Sequence, residues 1–272
     1  MPEIVEIEIL RKEISNLLKG KKIKEVVINK ETLLNTSEDE FSSLVKGKEI
    51  VGARRKGKVL IIDLSEGVSV AIHFLLTGFM KLTEGCDTKK VQVGFLFEDG
   101  TCLSINGIMR GGFVKVLKSS DVFNDPSLKK LGIDAMSSEL TAEKLLKIFE
   151  KNKKKKVKQV LMDQSIISGI GNAYSDEILF EAGISPLRKC GDITQEEAEK
   201  ILASMKKIFK EAESFGGASE LTFVHLNGKK GEYHKHFKVH KRAGKPCMRC
   251  KGSIESVKIN GRMSFYCPNC QK

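Results

Sequence analysis

Residues 247–270 read CMRCKGSIESVKINGRMSFYCPNC. Cys247, Cys250, Cys267 and Cys270 form the pattern C-x2-C-x16-C-x2-C. A CxxC pair offers two thiolates from one tight turn, and two such pairs complete the tetrahedron that zinc prefers. The residues between read as two strands, IESVKI and RMSFY, joined at Asn260-Gly261, a dipeptide that accepts the positive φ angles of a two-residue hairpin. Four thiolates fill the coordination shell, so one Zn2+ is expected here in a structural role. Arg262 follows the turn directly, either as a phosphate contact from a rigid tip or as a solvated turn charge.

Outward from this hairpin the chain is basic. From His225 to Lys272 there are 12 Lys and Arg against two acids, Glu232 and Glu255. The 272-residue chain carries 47 Lys+Arg and 35 Asp+Glu, a net charge of +12, so the first 224 residues are nearly neutral. A local cationic excess of this kind points to nucleic acid. No apolar run approaches the roughly 20 residues that span a bilayer, and no signal peptide precedes the acidic start. Seven cysteines, an odd number, fit a reducing compartment better than a disulfide framework. The expectation is a soluble monomer without a membrane partner, cytoplasmic and, in a bacterium, nucleoid-associated.

The remaining pattern predicts an α+β fold in three parts. Ile4, Ile7, Leu10, Ile14, Leu17 and Leu18 recur at helical spacing, and Gly20 closes that helix. KIKEVVIN, KEIVGARRKGKVLIIDL, VSVAIHFLL, VQVGFLF and GFVKVL read as strands, with one short helix over DEFSSLVKG. Residues 1–136 are therefore expected to form an antiparallel β-sandwich with flanking helices. Residues 137–224 read as helices: TAEKLLKIFEKN, VKQVLMDQ, NAYSDEILFEAG and TQEEAEKILASMKKIFKEAESF, the last with a possible capping box at Thr194 and Glu197. Residues 225–272 form the basic loop and the cysteine hairpin.

Three further stretches bear on chemistry. In MDQSIISGIGNAYSDEILF (162–180), Gly169 and Gly171 free the backbone before a helix whose N-cap is predicted to be Asn172. The exposed N–H groups of such a start can hold an anion, and KNKKKKVK just before it adds charge. In RRKGKVLI, Lys58 sits where a hairpin turn meets a strand, a position usually solvated. His73 in VAIHFLL reads first as a satisfied core histidine. At the N-terminus, MPEIVEIE places Pro2 where a missing N–H costs nothing, with Glu3 and Glu6 at the positive end of the helix.

MPE, RRKGK, QSIISGIGNAYSDEILFEAGISP, GGASELTF and KVHKRAGKPCMRC…FYCPNCQK occur in one order along the chain. That order resembles the formamidopyrimidine-DNA glycosylase/endonuclease VIII family of base-excision repair enzymes across essentially the whole length. The glycine-rich stretch resembles its helix–two-turn–helix motif and the tail its zinc finger. The resemblance implies damaged double-stranded DNA as partner, and a bifunctional glycosylase and AP lyase. Met1 would be removed and the Pro2 amine would attack C1′. Glu3 would act as general acid/base, Glu6 would support the amine, and Lys58 would contact phosphate beside the lesion and assist catalysis. Gly171, Asn172 and Arg262 would clamp the phosphates, and His73 and Lys158 would touch the backbone.

The chain departs from the family at three places. Val5 replaces a second proline. Leu76 aligns with one wedge residue, but the second wedge loop reads NGIMRGG, with Asn106, Met109 and Arg110 near the relevant positions and no aromatic. The segment from Gly216 to Cys247 keeps the length of the branch that covers an oxidised purine, leaving oxidised pyrimidines open. A non-catalytic, zinc-containing protein that binds DNA lesions is the alternative reading of the same fold.

Overall fold

The structure is a computed structural model that describes residues 2–220 and 222–272. Met1, whose removal the resemblance requires, and Leu221 lie outside the described residues. The chain divides into two compact units, residues 1–130 with 215–234, and residues 131–214 with 235–272. Boundaries expected at 136/137 and 224/225 thus fall at 130/131, at 214/215 and at 234/235. The cysteine hairpin shares a unit with the helices because a buried helix is its platform.

The first unit contains helix α1 (Ile4–Leu17), strand β1 (Ile23–Ile28), helix α2 (Glu38–Val45) and strands β2 (Ile50–Lys56), β3 (Val59–Leu64) and β4 (Val68–His73). Strands β5 (Phe79–Glu84), β6 (Val93–Phe97), β7 (Thr101–Asn106) and β8 (Phe113–Lys118) follow, then the short helix α3 (Pro126–Lys129). The expected antiparallel β architecture is present as two four-stranded sheets, ordered β1-β6-β7-β5 and β2-β3-β4-β8. Helix α1 packs on β2 and β3, burying Ile4, Ile7, Leu10 and Ile14 as its spacing dictates. Leu17 departs from that stripe and is exposed at the helix end.

Strands β5 and β7 were not foreseen. FMKLTE and TCLSIN carry Lys, Thr, Ser and Asn among their apolar residues, and they form because β5 pairs with β7, and β7 also pairs with β6. The same register sets Glu84 opposite Thr101 and brings Cys86 and Cys102 together in a disulfide with a Cα–Cα distance of 5.2 Å. The odd cysteine count had argued against a disulfide; the sheet register, invisible to a count, places these two side by side.

The second unit contains β9 (Ile133–Asp134), α4 (Ala142–Lys151), α5 (Val157–Met162), β10 (Ile167–Ser168), α6 (Asn172–Ala182), α7 (Gln195–Ser214), β11 (Glu255–Ile259) and β12 (Arg262–Tyr266). Thr194 and Glu197 form the expected reciprocal cap: Glu197 N–H donates to Thr194 Oγ1 at 3.2 Å and Thr194 N–H to Glu197 Oε2 at 3.0 Å. The hairpin β11–β12 turns at Asn260-Gly261, both with positive φ, as the dipeptide requires.

Helix α6 is buried from Ala173 to Phe180, including two adjacent acids. Glu177 accepts the backbone N–H groups of Lys238, Val239 and His240 at 2.8, 3.0 and 2.9 Å. Asp176 accepts from Lys158 Nζ, from Ser264 Oγ (2.9 Å), from Phe265 N–H (3.2 Å) and, through its other oxygen, pairs with His240 Nδ1 (2.7 Å). Below these polar links Phe180 packs with Val239, Cys247, Ile254 and Cys267. Asp176→Ala removes the carboxylate from a buried ammonium, a change that typically costs about 3–5 kcal/mol. Urea unfolding monitored in the second unit should therefore show a loss of that size; a loss below about 1 kcal/mol would remove Asp176 from its organising role.

Candidate active site and metal centre

In the first unit the N-terminal residues are buried. Pro2 precedes α1, Glu3 caps it, and Glu6, only 1% exposed, lies one turn in. The Glu3 N–H donates to Glu6 Oε2 at 2.8 Å, and the Ala218 N–H donates to Glu6 Oε1 at 2.8 Å. Glu6 therefore joins the start of α1 to a segment 212 residues further along. Gly217 makes this approach possible: its φ is +78°, and a Cβ there would stand 3.0 Å from Glu6 Oε1. The sequence reading placed Glu6 at the positive end of the helix and gave no signal for its bond to a segment 212 residues away.

Lys58 is the second residue of the two-residue turn between β2 and β3, where Lys56 pairs with Val59. It is 7% exposed, so the solvated-turn reading does not hold. His73 pairs with Val59 across β3 and β4 and tilts against Phe113 with ring centroids 5.6 Å apart. Burial, then the charges of Lys58 and Lys130, pull the His73 pKa down to about 4, so the ring is neutral at pH 7.

The two loops expected to carry wedges lie together. Leu76, in the β4–β5 connection, is 51% exposed, and Met109, in the β7–β8 connection, is 50% exposed. Thr77 Oγ1 donates to the Gly107 carbonyl at 2.7 Å, joining the loops. Gly107 has φ +68°, and a Cβ there would approach the Thr77 carbonyl oxygen to 2.4 Å, so only glycine permits the contact. Lys30 Nζ and Gln92 Nε2 donate to the Ile108 carbonyl at 2.8 and 3.3 Å, and the Gly112 N–H closes on the Met109 carbonyl at 3.0 Å. Arg110 is exposed within this tight turn, and Asn106 Oδ1 accepts from the Gln92 N–H at 3.2 Å.

In the second unit, the N-cap of α6 is Gly171, and Asn172 is its first helical residue rather than the cap expected from sequence. The Asn172 side chain is instead free to turn to the hairpin, where Nδ2 donates to the Met263 carbonyl at 2.9 Å. Arg262 begins β12 and is exposed. With Lys155, Gln159 and Asn260 it lines a cleft whose floor includes Lys158. Lys158, which the resemblance puts at the DNA backbone, is 1% exposed with its ammonium turned onto Asp176. The sequence placed it in a lysine run, and the acid that draws it inward lies 18 residues away.

The four hairpin cysteines converge. Their sulfurs lie within 4.8 Å of one another, with Cys247–Cys270 at 3.8 Å and Cys250–Cys267 at 3.5 Å. Four sulfurs each about 2.3 Å from one ion would stand about 3.8 Å apart, so this donor set fits tetrahedral zinc.

Residues 1–114 match the formamidopyrimidine-DNA glycosylase N-terminal domain, 131–223 its H2TH domain, and 244–272 the zinc finger found in FPG and IleRS. Formamidopyrimidine-DNA glycosylase of Listeria monocytogenes is 34% identical over 275 residues, covering 100% of both chains. The chain belongs to the formamidopyrimidine-DNA glycosylase family. The enzyme of that name from Wolbachia pipientis is also 34% identical, over 273 residues and 100% of both chains. Among solved structures, a Lactococcus lactis FPG variant in complex with Fapy-dG-containing DNA matches with a TM-score of 0.90 at 26% identity over 100% of both chains. The Thermus thermophilus protein matches with a TM-score of 0.87 at 27% identity over 99% of this chain and 98% of that one. The family's finger and the converging thiolates agree on one structural zinc.

Elemental analysis of the purified protein should find one zinc per chain. Cys267→Ser replaces a buried thiolate and should lower that content while leaving amide protection in β2, β3 and β4 unchanged. Full zinc occupancy in the variant would contradict a four-thiolate site.

Proposed function

We propose that this chain is a bifunctional DNA glycosylase and AP lyase that excises oxidised bases from duplex DNA, with Pro2 as its nucleophile. The observation that carries the reading is a buried helix start: Pro2 set directly ahead of Glu3 and Glu6, all three buried. Such an investment of buried carboxylate around the second residue is what amine chemistry there needs.

Removal of Met1 frees the Pro2 nitrogen as a secondary amine. A terminal amine has a much lower pKa than a lysine, so part of it is neutral at pH 7. Its lone pair forms a bond to C1′ as the bond from C1′ to the damaged base breaks; the base leaves with that electron pair and takes up a proton, while the Pro2 nitrogen gives up its own. Glu3 is the proposed proton donor at the sugar ring oxygen, and Glu6 holds the helix start through the Glu3 N–H. Loss of the ring oxygen's bond leaves an iminium, C1′ doubly bonded to nitrogen. A proton then leaves C2′ as the 3′ phosphate departs, and a second elimination releases the 5′ phosphate, leaving a gapped strand with phosphate ends. Lys58 is proposed to meet the phosphate beside the lesion, with His73 as a neutral neighbour. Gly171, Asn172 and Arg262 are proposed to hold the flanking phosphates, contacts that position without reading sequence.

Extruding a base leaves a hole in the stack. Leu76 and Met109 are proposed to fill it, which their exposure and the joined loops support, with Arg110 toward the opposite base. The preferred substrates are proposed to be oxidised or ring-opened purines, in line with the names of the relatives and the Fapy-dG bound by the Lactococcus protein. That protein also has a complex with DNA containing an oxidized pyrimidine, so pyrimidine lesions form the second class to assay. We place the protein as a monomer on the bacterial nucleoid, since the relatives named above are bacterial. Among the described residues, no helix is long and apolar enough to cross a membrane.

Borohydride trapping on lesion-bearing and abasic duplexes tests the nucleophile. The processed protein should trap both, and a preparation retaining Met1 should trap neither while binding DNA nearly as well. Equal trapping by the two forms would exclude Pro2 and make Lys58 the next candidate. Binding without trapping by the processed form would favour the non-catalytic reading.

A further inference from the structure

The segment from Phe215 to His234 belongs to the first unit, and its stretch between Gly216 and Leu226 meets α1 at two places. Near its start, the Ala218 N–H meets Glu6 of α1. At the other end, His225 and Leu226 meet Glu13, two turns further along the same helix. The Leu226 N–H donates to Glu13 Oε2 at 2.9 Å, and the Leu226 carbonyl accepts from the Leu82 N–H of β5 at 2.7 Å. Helix α1 therefore carries two acids, seven residues apart, that grip the two ends of one loop.

His225 links those grips. Its Nδ1 lies 2.7 Å from Glu13 Oε1 and its Nε2 lies 2.9 Å from the Gly216 carbonyl oxygen. A carboxylate and a peptide carbonyl only accept hydrogen bonds, and a neutral imidazole has one N–H to give. Satisfying both partners takes both ring protons, so the geometry is that of the imidazolium. The ring also tilts against Phe223, with centroids 5.6 Å apart. Among the described residues, Glu13 is the ionised group that acts on His225. It raises the histidine's pKa above the ordinary value, first by its hydrogen bond and against the opposing effect of burial.

We propose that protonated His225, held between Glu13 and the Gly216 carbonyl, is a positioning residue that clamps Gly216 to Ala218 onto α1 and so sets the Ala218 N–H against Glu6. The clamp rests on the reading above for its link to base excision, because Glu6 serves the Pro2 amine there. Glu13 and His225 do not touch the reacting atoms. Their effect passes through the loop's backbone to the carboxylate beside the nucleophile.

The sign follows from the raised pKa. The imidazolium's contribution is complete below the unfolded value of about 6.5 and is lost as pH rises through the higher folded value. Above that point one ring nitrogen presents a lone pair to an oxygen, and the Gly216 end of the loop is released. Excision should therefore have an alkaline limb set by His225, separate from the acidic limb on which the Pro2 amine gains its proton.

The test uses the full-length, zinc-loaded, Met1-processed protein as wild type, Glu13→Gln and His225→Asn. Three readouts are followed between pH 5.5 and 9 as the experimental range: the His225 ring titration by NMR, the protection factor of the Ala218 amide, and single-turnover excision. In wild type the ring should titrate above the ordinary histidine value, and Ala218 protection should fall about 10-fold through the same pH, with the alkaline limb of excision alongside. Glu13→Gln should move all three to lower pH together, and His225→Asn should leave Ala218 protection flat with pH. The clamp is overturned if Ala218 protection in wild type ignores the His225 titration, or if the Glu13→Gln excision profile superposes on wild type. Should ring titration and protection move together while no form excises any lesion, the clamp stands and the glycosylase reading falls.

Discussion

The N-terminal half of the proposed chemistry depends on one buried carboxylate. Glu6 takes an N–H from Glu3 through one oxygen and an N–H from Ala218 through the other. Burying a carboxylate costs several kcal/mol, and hydrogen bonds to a charged acceptor return roughly 1.5–3 kcal/mol each. With the positive end of α1 added, the two sides come close to balance. The group is thus retained at little net stability, and what it supplies is position: the residue after the proposed nucleophile and a loop from the far end of the chain are fixed to the same two oxygens.

The second unit repeats this arrangement with Asp176 and Glu177. Two adjacent acids on a buried helix collect the N–H groups of residues 238–240 and 265, a hydroxyl, an imidazole and the Lys158 ammonium. Zinc organises the cysteine hairpin internally, and these acids fix it to α6. The exposed Arg262 and the Asn172 amide, which donates to the Met263 carbonyl, are thereby held on the same base, as the proposed phosphate contacts need. Neither Glu6 nor the Asp176–Glu177 pair is legible in the sequence as a tie between segments, because Ala218, Lys238 to His240 and Phe265 lie tens to hundreds of residues from them.

What could be read from sequence was local. The period of Ile4, Ile7, Leu10 and Ile14, the cap at Thr194 and Glu197, the turn at Asn260-Gly261 and the four-cysteine spacing each depend on residues within one element, and each is found where its chemistry put it. Strands β5 and β7 escaped because their polar residues hide the alternation and cross-strand partners make them strands. The Cys86–Cys102 pairing escaped for the same reason. Among the candidate site residues, the four cysteines carry a strong signal by spacing alone, whereas Pro2 and Glu3 read as an ordinary helix start until the family resemblance gives them a role. Lys158 is singled out by the resemblance alone, and its turn onto Asp176 is not legible in a lysine run.

The claim that Glu6 is the joint between the N-terminus and the returning loop is tested most directly by amide exchange in Glu6→Ala. The substitution removes both acceptor oxygens and leaves the apolar face of α1 intact. Protection of the Glu3 and Ala218 amides should fall together by at least about 10-fold, the equivalent of roughly 1.4 kcal/mol each, while amides within β3 keep theirs. Retention of Ala218 protection in Glu6→Ala would contradict the account, since the loop would then be held against α1 by something other than this carboxylate.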